Sequence, residues 1–374
     1  MKVLQIGKFF HPHKGGIETF LKEISSPLSK KVDLQVLVSS SNTTSLSENI
    51  DNFTLTRAAT YGKVLSLPLS PKILLDAARI IKEFKPDIIH THVPNPWADC
   101  IALFSHLQLK PKIVVHWHSD IIRQKLLFPL LSPMIHKVLN ECSAIAVPSK
   151  AHIRASLFLP KYENKTHIIP LCLSEKATES VIVDPKTKMI LNRIGKAPFL
   201  LSVGRLVYYK GFNVLIEAMQ EVNAHLVIVG EGPLRSELEA TIHRLNVESK
   251  VHLAGELENI EPLFQLCTCF VLPSIAQSEG FGVVLLEAMR ARKPLISTKL
   301  GTGVEIANKD GVTGLAVEPS NVKELTTAIN TILSNNNLRM KFGEAAFQHW
   351  KENFTTEKTV DAIFSLYKRI LKFS

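Results

Sequence analysis

The sequence predicts an α/β protein with two doubly wound, Rossmann-like domains. Three observations lead to this. The chain has 374 residues, too many for one ordinary core and a suitable number for two domains. Short apolar runs alternate with longer amphipathic segments in both halves, the pattern of repeated βαβ units. One polar stretch, 173–197, interrupts that alternation once.

In order along the first half, strands are expected at Lys2–Phe9, Asp33–Ser39, Asp87–His92, Lys112–His118, Ala144–Pro148 and His167–Pro170. Helical spacing of apolar residues lies between them, as at Gly16–Ser29 and Pro71–Phe84. Continuous runs such as Ile113–Val115 suit parallel strands covered on both faces. After the polar stretch, read as a linker over 173–197, a second series follows. Its strands are expected at Phe199–Gly204, His225–Gly230, Val251–Gly255, Cys269–Leu272, Pro294–Thr298 and Gly314–Val317. Ligands of such sheets bind beyond the carboxyl ends of the strands, so a cleft between the domains is the expected site.

Composition narrows the classes. Hydrophobic residues make up 45% and charged residues 21%, which excludes a mainly disordered chain. Net charge is +10, and residues 1–190 carry 24 Lys+Arg against 15 Asp+Glu, so nearly all the excess lies in the N-terminal half. That half is expected to face an anionic surface. Nucleic acid is not the expected partner, because no basic stripe with interleaved aromatics occurs. The five cysteines form no CxxC pair, and reduced thiols in the cytoplasm are expected. The N-terminal run MKVLQIGKFFHP does not read as a signal peptide, and no apolar stretch is long enough to span a bilayer. A cytoplasmic protein with peripheral contact at the inner face of the membrane is the expectation.

The chemistry concentrates in the second half. VGRLVYYKG places Arg205 and Lys210 just beyond a strand, two cations suited to a diphosphate. In IVGEGPLRSEL, Gly230 and Gly232 lack the third glycine of a dinucleotide fingerprint, so an ordinary strand-to-helix turn is expected there. PSIAQSEGFGVVLLEAM carries the strongest signal. Glu279 and Glu287 flank Gly280-Phe281-Gly282 at the mouth of an apolar helix, where glycines admit a ligand to backbone amides and a helix start favours phosphate. Carboxylates accept hydrogen bonds from sugar hydroxyls, so Glu279 suits a hexose and Glu287 a ribose. Glu287, set in VVLLEAM, would be costly as an unpaired buried charge.

EGFGVVLLEAM resembles the paired-glutamate signature of retaining glycosyltransferases of the GT-B fold, in the large family numbered four (group 1). The resemblance covers nearly the whole chain, through HPHKGGIET, VVHWHSD, VGRLVYYKG, IVGEGPL, VLPS and GVTGLAVEP in order. More narrowly, HWHSDIIRQK and VGRLVYYKG are similar to bacterial O-antigen and surface-polysaccharide transferases of the mannosyl or rhamnosyl type. The resemblance implies an N-terminal acceptor domain, 1–172, and a nucleotide-sugar domain, 198–355. A C-terminal helix in 356–374 would cross back onto the first domain.

The roles it implies are as follows. Gly15 and Gly16 would form a loop touching the donor diphosphate and sugar. Arg205 and Lys210 would hold the diphosphate and stabilise its departure. Glu279 would bind the donor sugar, with backbone contacts from Gly280, Phe281, Gly282 and Val283. Glu287 would bind the ribose, Leu257 would pack near the base, and His118 would lie near the transferred sugar and acceptor. Two departures are IIPLCLSE, with Cys172 where relatives often carry Gly, and LGTGVEI, with Gly301 and Gly303 not adjacent.

The expected reaction moves a hexose from a nucleotide diphosphate sugar, GDP-mannose first and a UDP-sugar next, to a lipid-linked saccharide or oligosaccharide. Retention is implied by the resemblance. With no D-x-D triplet in the chain, no metal and no other cofactor are expected. A GT-B sugar-nucleotide epimerase and a catalytically inactive sugar-nucleotide-binding protein are the alternatives. A phosphorylase would need a pyridoxal lysine that the sequence does not identify.

Weaker signals remain. The pairs His11/His13, His90/His92 and His116/His118 have zinc-like spacing, but each needs further ligands and no cysteine is suitably placed. His116 is expected to point away from His118, and His90 and His92 to line the cleft or end a strand. Residues 121–140 carry Arg123, Lys125 and Lys137 in an apolar pattern interrupted by Pro129 and Pro133. An interfacial segment on anionic lipid and a packing helix both fit, and the charge of the N-terminal half favours the first.

Overall fold

A computed structural model describes residues 1–13, 15–64, 67–120, 128–175 and 183–372. The chain divides into two compact units: Met1–Leu173 together with Thr356–Ser374, and Ser174–Thr355.

The strands of unit 1 are β1 (Lys2–Ile6), β2 (Asp33–Ser39), β3 (Leu46–Ile50), β4 (Phe53–Ala58), the short ribbon β5 (Lys63–Val64) and β6 (Leu67–Pro68), then β7 (Ile88–Val93), β8 (Lys112–Trp117), β9 (Ala144–Val147) and β10 (Thr166–Ile168). The main sheet runs β10-β9-β8-β7-β1-β2-β4-β3. Its pairs are parallel apart from β3 with β4. The reason is visible in the residues. β7 is buried at every position and β8 at all but its first, which requires covering helices on both faces. Those helices are α1 (Gly16–Ser29), α2 (Lys72–Phe84), α3 (Pro96–Gln108), α4 (Phe128–Glu141) and α5 (Lys150–Ala155). α1 buries Phe20, Leu21, Ile24 and Leu28, one stripe at helical spacing.

In unit 2 the helix α6 (Pro185–Ile194) precedes β11 (Phe199–Val203), α7 (Phe212–Ala218), β12 (His225–Val229), α8 (Arg235–Arg244), β13 (Val251–Gly255) and α9 (Glu261–Leu266). Next come β14 (Cys269–Leu272), α10 (Val284–Arg290), β15 (Leu295–Thr298), α11 (Val304–Ala307), β16 (Gly314–Val317), α12 (Val322–Ser334) and α13 (Asn336–Asn353). The sheet is wholly parallel in the order β13-β12-β11-β14-β15-β16. This is the dinucleotide-fold order, and its strand order reverses between β11 and β14. The last helix, α14 (Thr356–Lys372), belongs to unit 1. There Lys31 pairs with Asp361 at 2.7 Å, and the Thr359 hydroxyl donates to the Pro170 carbonyl at 3.1 Å.

Three expectations change. The β3–β4 hairpin has no counterpart in the sequence reading, because β3 is a largely exposed edge strand, LSENI, with no apolar run. The stretch read as a linker, 173–197, is helical over Pro185–Ile194. Asp184 caps that helix by accepting from the Thr187 N–H at 3.0 Å, and Thr187, Ile190 and Ile194 are its buried face. Of the basic segment 121–140, residues 121–127, with Arg123 and Lys125, lie outside the described residues. The remainder runs as α4 through Pro133. Ile135, Val138 and Leu139 pack into a core with Val115, Trp117 and Ile145, so that apolar face is turned inward.

Candidate active site

In unit 2 the loops after β11 and β14 meet beyond the carboxyl ends of their strands, at the point where the strand order reverses. The first loop closes in a 3-10 turn, Tyr208–Lys210, followed by Gly211 at φ 66°. A Cβ at Gly211 would stand 2.1 Å from the Pro273 carbonyl oxygen, so only glycine lets the loops touch. The Ile275 N–H donates to the Tyr209 carbonyl at 2.7 Å and ties them again.

This junction brings two of the predicted residues into contact. Lys210 Nζ lies 2.5 Å from Glu279 Oε2, with each side chain about nine-tenths buried. The Ser274 hydroxyl donates to the same carboxylate oxygen at 2.9 Å. The backbone of Glu279 is fixed as well, its carbonyl accepting from the Thr302 hydroxyl at 2.9 Å. The neighbouring Gly280 carbonyl accepts from the Gly303 N–H at 2.7 Å. Thus the pair expected to divide diphosphate and sugar between them are salt-bridged to each other.

The other predicted residues of unit 2 separate by role. Arg205 is exposed on the same loop as Lys210. That loop leans on Gly230 and Gly232, where a Cβ would stand 2.1 Å from the Gly204 oxygen and 2.4 Å from the Leu206 oxygen. Those glycines therefore shape the carrier of Arg205. Phe281 is buried with its ring edge-on to Phe354 at 5.6 Å, leaving its backbone for any ligand. Gly282 has φ 73°, and Val283 leads into α10. Glu287 is half-buried while Leu285, Leu286, Ala288 and Met289 are buried, so it lies on the less buried side of α10. Leu257 is buried in the loop after β13. Arg290, not singled out from the sequence, pairs with Glu261 at 2.6 Å and joins α10 to α9.

Unit 1 holds Gly15, Gly16 and His118. Gly15 and Gly16 are exposed at the start of α1. A Cβ on Gly15 would strike the Glu18 carboxylate, which folds back over it. His118 follows β8, and two residues further on Asp120 accepts from Trp117 Nε1 at 2.9 Å, from the Ser156 hydroxyl at 2.7 Å and from the Leu157 N–H at 2.7 Å, which fixes the loop that carries His118.

His118 is not isolated. Its Nε2 lies 3.1 Å from His92 Nδ1, and its ring stacks on His116 at 4.6 Å. This corrects the expectation that His116 and His118 point apart: residues two apart on a strand share a face. His90 continues the stack, with its Nδ1 2.5 Å from the Tyr367 hydroxyl of α14. Burial holds His92, His116 and His118 well below the ordinary histidine range and His90 down to about 3, so the rings are neutral. No sequence signal joins His90 to a tyrosine so distant in the chain.

The chain thus has two Rossmann-like units, one with a buried lysine–carboxylate pair at the switch point of its sheet. Comparisons with known proteins identify its family. Residues 14–173 match the Glycosyltransferase Family 4 model and residues 184–349 the Glycosyl transferases group 1 model. The chain is 31% identical to O-antigen chain mannosyltransferase C of Escherichia coli, over all of this chain and 99% of that one. It is 32% identical to D-rhamnosyltransferase WbpZ of Pseudomonas aeruginosa, over 74% and 73%. Among solved structures, sucrose-phosphate synthase of Thermosynechococcus elongatus superposes with a TM-score of 0.82 at 17% identity, covering both chains fully. Anabaena Alr3699/HepE in complex with UDP superposes at 0.78 and 19%, over 99% and 100%. The chain belongs to the family 4 (group 1) glycosyltransferases and has the GT-B fold.

Proposed function

We propose that this glycosyltransferase moves a hexose, with retention, from a nucleotide diphosphate sugar to a lipid-linked saccharide in O-antigen or related surface-polysaccharide synthesis. GDP-mannose is the first-choice donor, by likeness to the mannosyl- and rhamnosyltransferases, and a UDP-sugar the second. The observation that carries the reading is the buried Lys210–Glu279 pair at the switch point of unit 2.

The chemistry follows from that pair. A donor diphosphate is a stronger partner for an ammonium than one carboxylate, so it would draw Lys210 from Glu279. The freed carboxylate would then accept from the sugar hydroxyls, still steadied by Ser274. Cleavage of the sugar–phosphate bond builds negative charge on the leaving diphosphate, and cations fixed beforehand lower that barrier without reorganising. Lys210 supplies such a cation from a buried position, and Arg205, exposed on the same loop, supplies the second. Glu287 would take the ribose, and Leu257 the base. His118, neutral, would offer a ring nitrogen to the sugar or acceptor. No metal is assigned to the donor site. The excess positive charge of the N-terminal half supports work at an anionic membrane face.

Thermal-shift screening against GDP- and UDP-sugars tests the donor, since a ligand bound only by the native state raises the apparent Tm. GDP-mannose should give the largest rise, and Lys210→Ala should abolish it. A chain indifferent to every nucleotide sugar would overturn the reading.

A further inference from the structure

Unit 1 contains a histidine cluster that nucleotide-sugar chemistry leaves mostly unused. His92 near the end of β7 and His116 on β8 are partners in register, and His118 follows two residues after His116. Their three rings stack within 5.4 Å of one another, nearly parallel, and Phe20 of α1 closes one side, 4.7 Å from the His116 ring. One nitrogen from each of the three lies within 4.8 Å of the others. His92 and His116 are fully buried. Neither nitrogen of His116, nor Nε2 of His92, has a hydrogen-bond partner among the described residues.

We propose that His92, His116 and His118 bind one divalent transition-metal ion of the zinc class, with solvent completing the coordination on the open side of His118.

The geometry supports this on three counts. Residues two apart along extended backbone share a face, and the parallel register adds a third imidazole from the next strand, so three donors converge at the end of β8 and beside it on β7. Metal–nitrogen bonds of ~2.0–2.1 Å in a tetrahedral site place ligand nitrogens roughly 3.4 Å apart. The His92–His118 pair is at 3.1 Å, a hydrogen bond that the metal would replace, and closing separations of up to 4.8 Å needs a shift of about 1 Å in the side chains, at some off-rotamer cost. A buried polar nitrogen without a partner is costly, which leaves His116 short of one. Three neutral nitrogens with no carboxylate select zinc, cobalt, nickel or copper over magnesium or calcium.

The ion would be held by none of the residues assigned to the diphosphate, Lys210 and Arg205, which belong to the other unit. It would instead engage His118, the residue read as facing the transferred sugar, and an occupied site is therefore inhibitory. That consequence rests on the proposed function. The binding site does not.

The test uses the full chain, stripped with a chelator and titrated with Co2+, whose low-symmetry complexes absorb in the visible. Bands should saturate at one ion per chain and be displaced by Zn2+. They should weaken at least tenfold in affinity in both His116→Leu and His92→Leu, variants that replace a buried imidazole with an apolar side chain. Zn2+ should also raise the Tm of the parent chain and not of the variants, which keeps the result readable if either variant is less stable. Absence of bands at one equivalent, or bands unchanged in both variants, overturns the site and makes the cluster a neutral stack partnered by water. In a transfer assay, one equivalent of Zn2+ should slow the parent and not His116→Leu. Bound zinc with undiminished transfer would overturn the inhibition and the place of His118 in the reaction while the cobalt result stood.

Discussion

Lys210 and Glu279 are each about nine-tenths buried and within 2.5 Å of one another, an arrangement in which neither can be removed alone without leaving a charge stranded. Removing one member of a buried pair costs about 3–5 kcal/mol, so variants at either position need a stability control beside the activity measurement. The sequence pointed to both residues because a cation just beyond a strand suits a diphosphate, a carboxylate at the mouth of an apolar helix suits sugar hydroxyls, and the family resemblance assigns both roles. It did not show that they would meet each other, nor that Ser274 would hold the carboxylate. Another buried acid makes a prediction at this scale. Asp99, in the first turn of α3, has its carboxyl pushed up to about 7 by burial. With the folded value above the unfolded one, its contribution to stability is fully present below about pH 4 and is lost as pH rises through 7. The loss has a ceiling of about 4 kcal/mol. Asp99→Asn should therefore gain Tm over the parent progressively from pH 5 to pH 8. A constant difference across that range would contradict it.

Among the elements, the loop after β11 is shaped by backbone approach more than by its own side chains. Gly230 has φ 139°, and a Cβ there would stand 2.1 Å from the Gly204 oxygen. Gly230→Ala should displace the Arg205–Lys210 loop, lower Tm by several degrees and weaken nucleotide-sugar binding at least tenfold, readable by calorimetric titration. Unchanged affinity would mean the loop does not position the donor. The elements also show what the sequence made legible. β11, β14 and β15 are buried at every position and β12 at all but its first, so they read as short, mainly apolar runs, and the observed bounds of β11 to β16 fall within a residue of those expected. β3 and α6 do not stand out. β3 is an exposed, polar edge, and α6 hides three buried positions among charged ones. The shared face of His116 and His118 is legible in their spacing of two along extended backbone, and the expectation that they point apart runs against that period. Tyr367 reaches His90 from the far end of the chain, a contact no local pattern encodes.

At the scale of the molecule, the charge is divided as unevenly as the chemistry. The N-terminal half holds nearly all of the +10, while the lysine–carboxylate pair lies in the near-neutral second half. Among the described residues, no helix is long and apolar enough to cross a membrane, and the apolar face of α4 is spent on the core of unit 1. The excess charge is the feature that fits the proposed contact with an anionic membrane face. The chain should co-sediment with vesicles containing anionic lipid at low salt and release as ionic strength rises, because the Debye length shrinks from ~10 Å at 0.1 M to ~3 Å at 1 M. Binding indifferent to salt and lipid charge would contradict a charge-driven contact.

The most direct test of the central claim is transfer of labelled sugar from GDP-mannose and from UDP-sugars to a lipid-linked saccharide acceptor, by the parent chain and by Lys210→Ala and Glu279→Ala, each verified as folded. Transfer by the parent should retain the anomeric configuration, and both variants should fall by at least about a hundredfold. Transfer undiminished in either variant, with the donor the parent uses, would contradict the claim.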